Sequence, residues 1–316
     1  MDASPEFATL FSLLTGSRGE PDQPLDEARA GMAAVMEGFP PPSEATFTPT
    51  RIGGRPAVDA RMPATREDFA VLYLHGGGYV LGDPEHDRDT LARLADGARA
   101  RAIGLDYRLA PEHPYPAAVG DALAAYRELI ETVPPAQVAI AGLSAGGGLA
   151  VALGTALRDE GDPLPAGIVA MSPWTDFTLE NRSLELNAGK DWMTLDELQA
   201  HVRRYVPDGR DRRAISPAHT DLRGLPAILV QAAGDEVLLD DSRALARAAW
   251  RAGVPVTLSV WPRLCHGWQA FASKLPEGRA ALEQVGAFLR GHLGERQHWS
   301  PHLAGGARRV ASAAGG

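Results

Sequence analysis

Gly142-Leu143-Ser144-Ala145-Gly146 matches the pattern G-x-S-x-G. In that pattern a serine can sit at the tip of a sharp strand-to-helix turn, its hydroxyl free to attack a carbonyl carbon. With 34 glycines in 316 residues, chance alone gives about 0.15 matches, so the setting decides. The strand-like run Val138–Ala141 enters the motif and the helix-like stretch Leu149–Leu157 leaves it. Flanking glycines suit a strained turn whose neighbours pack against its backbone. The turn would put the Ser144 hydroxyl at the C-terminal edge of a sheet. The amide of Ala145 would then lie at a helix N-terminus.

A second group, His75-Gly76-Gly77-Gly78-Tyr79, follows the apolar run Ala70–Leu74 directly. Chance gives about 0.01 such matches, which makes it the more specific signal. Glycines without side chains let the amides of Gly76 and Gly77 point into a site and bind a developing oxyanion. A phosphate cradle would want G-x-G-x-x-G or a Gly-Lys-Ser ending, and neither occurs here. His75 is expected to fix the loop.

These groups need elements to position them. Thr46–Ile52 and Pro56–Arg61 read as strands, and Gly53-Gly54 between them is a hairpin signal. Short apolar runs follow at Ala70–Leu74, Ala102–Leu105, Val138–Ala141, Ile168–Met171, Ala227–Val230 and Val256–Val260. Helix-like segments lie near 87–99, 117–131, 145–158, 239–252 and 277–290. Runs without strict alternation suit strands buried on both faces, with the helices as right-handed crossovers. The fold class is α/β: a mostly parallel sheet opened by an antiparallel hairpin. About 55 residues separate Met171 from Ala227, more than a crossover needs, and Thr194-x-x-Glu197 opens a helix there. That stretch reads as an insertion over one end of the sheet.

Composition narrows the function. Apolar residues make 45% and charged residues 22% of the chain, ordinary globular values. A net charge of −9 disfavours nucleic acid as a partner. The single cysteine, Cys265, excludes an internal disulfide framework and a multi-cysteine zinc site. No apolar run approaches the 18 or so residues of a membrane span, and Met1–Glu6 lacks a signal peptide's basic start. A cytoplasmic, soluble protein is expected.

HGGGY, then Asp106-Tyr107-Arg108-Leu109-Ala110-Pro111-Glu112, then GLSAGG resemble the hormone-sensitive-lipase family of α/β-hydrolase esterases in order and spacing. The resemblance spans roughly 40–292. It implies an eight-stranded, mostly parallel sheet flanked by helices, with a helical cap. The cap would comprise residues 1–45 and an insertion at about 174–215, the catalytic domain 46–292, and a flexible tail 293–316. It also implies carboxylic ester hydrolysis without a cofactor. No metal is expected, the partner expected is a small-molecule ester, and a homodimer is the assembly to test. The family usually has Asp or Thr where Leu143 stands, a departure outside the catalytic groups.

In this fold the base and acid follow the serine in the order Ser, acid, His. His75, His86 and His113 come too early, His201 and His219 fall in the insertion, and His292, His298 and His302 come at or beyond the last helix. His266 alone follows the final apolar run, where the family carries its base. The acid stays open between two neighbours, because an extended backbone points Asp235 and Glu236 in opposite directions. The family pattern favours Glu236, with Asp240 four residues on and His266 thirty residues on. Asp235 is shorter and commoner in type. Asp240 is expected to cap a helix, and Asp106 and Glu112 to tie their loop to the HGGG segment. His298 and His302 lack a third metal ligand, and Cys265 lacks a histidine to activate it. The function expected is hydrolysis of short to medium acyl esters through an acyl-enzyme on Ser144. Lactones, acetylated sugars or carbamates would use the same residues. A non-catalytic ligand binder, as in the plant gibberellin receptors that resemble this family, is disfavoured because the histidine is kept.

Overall fold

Gly53 and Gly54 both have positive φ, 59° and 73°, the backbone that a two-residue turn matching strand twist requires. They join β1 (Thr46–Ile52) to β2 (Arg55–Arg61) as an antiparallel hairpin with Ile52 opposite Arg55. The computed structural model describes residues 3–294. Ahead of the hairpin stand α1 (Pro5–Gly16) and α2 (Leu25–Glu37). Behind it the chain alternates: β3 (Arg66–Leu74), α3 (Arg88–Ala98), β4 (Ala100–Leu105), α4 (Ala117–Thr132), β5 (Val138–Leu143), α5 (Ala145–Glu160) and β6 (Ile168–Met171). The interruption carries α6 (Ser183–Leu186) and α7 (Leu195–Tyr205). Then come β7 (Ile228–Ala233), α8 (Leu239–Arg251), β8 (Val256–Trp261) and α9 (Pro276–His292).

Among the described residues eight strands form one sheet in the order β1-β2-β4-β3-β5-β6-β7-β8, parallel from β4 onward. Every residue of β5, β6 and β7 is buried, as expected of strands covered on both faces. Alternate residues feed two cores. Leu72, Ile140, Ile168 and Ile228 pack on one side with α4, α5 and α8, while Val71, Ala139, Val169 and Leu229 pack on the other with α3 and α9. Helices α3 and α9 cross at Gly97 and Gly286, where a Cβ on Gly286 would come within 2.6 Å of the Gly97 Cα. Only glycine lets them approach so closely.

Two segments roof the C-terminal edge of the sheet. In α2, Arg29 donates to the Val80 and Ala110 carbonyls and pairs with Glu112 at 2.8 Å. In the insertion, the Thr194 hydroxyl accepts the Glu197 amide and Glu197 accepts the Thr194 amide, the expected capping box of α7. The last residue of α7, Tyr205, stacks on Tyr79 of the HGGGY loop with centroids 3.9 Å apart. The N-terminal segment also touches the insertion, since Arg204 donates to the Pro21 carbonyl.

Two local expectations differ from the structure. Glu112 does not tie its loop to the HGGG segment; it pairs with Arg29 of α2. The tie comes instead from the Tyr107 hydroxyl, which donates to the His75 carbonyl at 2.8 Å, and from the Ala110 amide, which donates to Tyr79. Asp240 is not the N-cap of α8 but lies in its first turn, accepting the Ser183 amide and pairing with Arg243. Apart from residues 293 and 294, the expected tail lies outside the described residues, and so do His298 and His302.

Candidate active site

Strand β5 lies mid-sheet between β3 and β6 and ends at Leu143. Ser144 follows with φ 56° and ψ −118°, a conformation that costs a residue with a Cβ on the order of 1–3 kcal/mol. Its surroundings hold it there. The Ser144 amide donates to the Met171 carbonyl at 2.8 Å, and its carbonyl accepts the Trp174 amide at 2.9 Å. A Cβ on Gly142 would meet the Gly146 carbonyl oxygen at 2.0 Å, and one on Gly146 would meet the Leu74 carbonyl oxygen at 2.0 Å. Both motif glycines are therefore required by contact. Helix α5 starts at Ala145, so its first amides point away from the helix beside the Ser144 hydroxyl.

The structure brings Ser144, His266 and Glu236 into one line. His266 Nε2 lies 2.8 Å from Ser144 Oγ, and His266 Nδ1 lies 3.3 Å from Glu236 Oε2. All three side chains are buried. Asp235, the alternative acid, is half-buried and not a partner of His266; its amide donates to the Leu264 carbonyl at 3.3 Å. Burial disfavours the charged form of His266. The Glu236 hydrogen bond and the charges of Glu236, Asp191 and Asp241 outweigh it and raise the His266 pKa above its ordinary value.

The HGGG loop lies against the serine: a Cβ on Gly76 would be 3.5 Å from Ser144 Cβ. Gly77 has φ 108° and faces the Leu81 carbonyl, and Gly78 has φ 63° and faces the His201 ring. His75 is buried, accepts stacking from Tyr107 at 4.2 Å, and is bonded through Nδ1 to the Gly76 carbonyl. Burial drives its pKa down to about 4, so it stays neutral and holds the loop.

Gly76, Gly77, Ser144 and His266 share a cavity of about 280 Å³. Leu14, Met32 and Val35 of the N-terminal helices and Trp192, Met193 and His201 of the insertion close it from above. A buried carboxylate in the insertion, Asp191, accepts the His266 backbone amide at 3.0 Å. Sequence reasoning missed it, because Gly189-Lys190-Asp191-Trp192 matches no motif and lies 75 residues from its partner.

Comparison with known proteins fits this geometry. Residues 71–270 match a family described by its alpha/beta hydrolase fold. The chain is 48% identical over 237 residues to an acetyl-hydrolase of Streptomyces hygroscopicus, covering 74% of this chain and 79% of that protein. A solved esterase of the bacterial hormone-sensitive lipase family superposes with TM-score 0.89 at 40% identity, covering 93% and 100% of the two chains. The esterase EstE5, soaked with p-nitrophenyl butyrate, superposes with TM-score 0.88 at 40% identity, covering 92% and 99%.

Proposed function

The chain belongs to the hormone-sensitive-lipase family of α/β-hydrolase esterases and hydrolyses carboxylic esters, and we propose that it does so with Ser144, His266 and Glu236 on short acyl chains. The continuous line from Ser144 Oγ through the His266 ring to Glu236 Oε2 carries this reading. His266 Nε2 takes the hydroxyl proton as Ser144 attacks the carbonyl carbon. Glu236 accepts a hydrogen bond from Nδ1–H, which selects the tautomer, and it stabilises the imidazolium that forms. The amides of Gly76, Gly77 and Ala145 receive the oxyanion. His266 then protonates the departing alcohol and activates the water that frees Ser144. Residues 1–45 and the insertion at about 174–215 act as the cap that keeps bulk water out.

The acyl range rests on size. A cavity of about 280 Å³ stands at the small end of ligand pockets. The similarity to an acetyl-hydrolase, and the butyrate ester offered to EstE5, point the same way. On p-nitrophenyl esters from C2 to C16, kcat/KM is expected to peak between C2 and C8. It should fall by about 10²-fold toward palmitate, whose chain the cavity cannot bury. Because the cavity is small and capped, no rise in rate is expected when the ester forms an emulsion. Palmitate preferred over butyrate would defeat this part of the reading.

The homodimer has a physical seat in the same proposal. Strand β8 ends the sheet, Leu258 and Val260 on it are exposed, and Trp250 of α8 is 74% exposed beside it. An unpaired apolar edge is a template for a second copy. Sedimentation should give twice the chain's mass, and Trp250→Glu with Leu258→Glu should reduce it to one. A monomeric wild-type protein at micromolar concentration rules the dimer out.

A further inference from the structure

Four hydrogen bonds run from the insertion to the backbone on which the base and the acid are mounted. Asp191 Oδ1 accepts the His266 amide at 3.0 Å, and the Trp192 indole Nε1 donates to the His266 carbonyl at 2.8 Å. The Asn187 side-chain amide donates to the Glu236 carbonyl at 2.9 Å, and Asp191 Oδ2 accepts the next amide, that of Val237, at 2.8 Å. Both peptide groups of His266, and the carbonyl and amide of the peptide group that follows Glu236, are thus gripped by one stretch, 187–192. Asp191 touches the two loops at once. Arg18, from the link between α1 and α2, donates to the Trp192 carbonyl and presses the N-terminal segment onto that stretch.

The side chains need this support. Among the described residues no donor reaches Glu236 Oε1, and the carboxylate is held through its contact with His266. Among the described residues the imidazole is bonded to the two groups it serves and to no other. Their relative placement must therefore come from the backbone. A shift of about 1 Å there costs about 10²-fold in rate. The carboxylates near the ring are Glu236 from the turn between β7 and α8, Asp241 from the first turn of α8, and Asp191 from the insertion. The adjacent Cys265 is buried and kept as a neutral thiol.

We propose that Asp191, assisted by Asn187 and Trp192, is a positioning residue that holds base and acid in register and adds a second buried negative charge beside the imidazolium. The proposal rests on the Ser144–His266–Glu236 reading. Asp191→Asn keeps the shape but turns an NH2 toward at least one backbone donor and removes the charge. Its kcat is expected to fall about 10- to 10²-fold with KM within about threefold. The acid limb of kcat/KM should move to lower pH, because His266 loses a neighbour that raises its pKa. A merely structural role would not move that limb. Trp192→Phe deletes the donor to the His266 carbonyl without touching a charge, so kcat should fall while the limb stays in place. Asp191→Asn with wild-type kcat or an unmoved limb overturns the proposal. If that variant does not fold, Trp192→Phe with wild-type kcat overturns it. Organophosphate labelling of the wild-type protein separates the two levels. An adduct away from Ser144 defeats the underlying reading, whereas an adduct on Ser144 with an unaltered Asp191→Asn defeats the positioning role alone.

Discussion

Ser144→Ala is expected to lower kcat by about 10⁶-fold while leaving a folded protein, since the oxygen it removes is the nucleophile. The lost oxygen makes one side-chain hydrogen bond, to His266. The backbone bonds that hold the turn, to Met171 and from Trp174, are unaffected. A companion variant makes the assignment sharper. At φ 56° and ψ −118° a glycine would relax strain on the order of 1–3 kcal/mol, less about 0.5–1 kcal/mol for its greater freedom in the unfolded chain. Ser144→Gly should therefore be as inactive as the alanine variant yet melt at a higher temperature than wild type. Retained turnover in either variant, or an organophosphate adduct on a peptide lacking Ser144, defeats the assignment.

What could be read from the residues was whatever local chemistry specifies. Gly53-Gly54 implied a hairpin because only glycine accepts two successive positive φ values cheaply. Thr194 and Glu197 implied a helix start because the two side chains satisfy each other's backbone amides. Gly142 and Gly146 implied the elbow, and the structure supplies the contacts that exclude a Cβ there. Contacts made across long loops had no such local signature. Glu112 pairs with Arg29, 83 residues away, where the surrounding DYRLAPE stretch suggested a partner close by in the HGGG loop. Asp191 reaches His266 and Val237 from a stretch of the insertion, 187–192, that matches no motif. Placing it required the insertion's path over the sheet edge, which follows from tertiary packing and not from periodicity.

The acid shows the limit most clearly, and its test has the second-largest expected effect. An extended backbone would send Asp235 and Glu236 opposite ways but does not say which of them faces the base. In the structure the Gly234 and Asp235 amides bond to the Trp261 and Leu264 carbonyls, which lays this turn along the loop that carries His266. That arrangement leaves the Asp235 side chain half-buried and sends Glu236 inward to Nδ1. Glu236→Ala is accordingly expected to cost about 10⁴-fold in kcat, because the imidazolium loses its partner and the imidazole its tautomer. Asp235→Ala should cost less than about tenfold, with its effect mainly on melting temperature. The pH profile gives a second, independent reading. Glu236 raises the His266 pKa, so its loss should also move the acid limb of kcat/KM to lower pH, whereas Asp235→Ala should leave it unmoved. The opposite ranking of the two variants, both shown to be folded by circular dichroism, would transfer the role to Asp235. Small and equal losses would show that neither carboxylate orients the base, and would leave Asp191 as the buried acid bonded closest to His266.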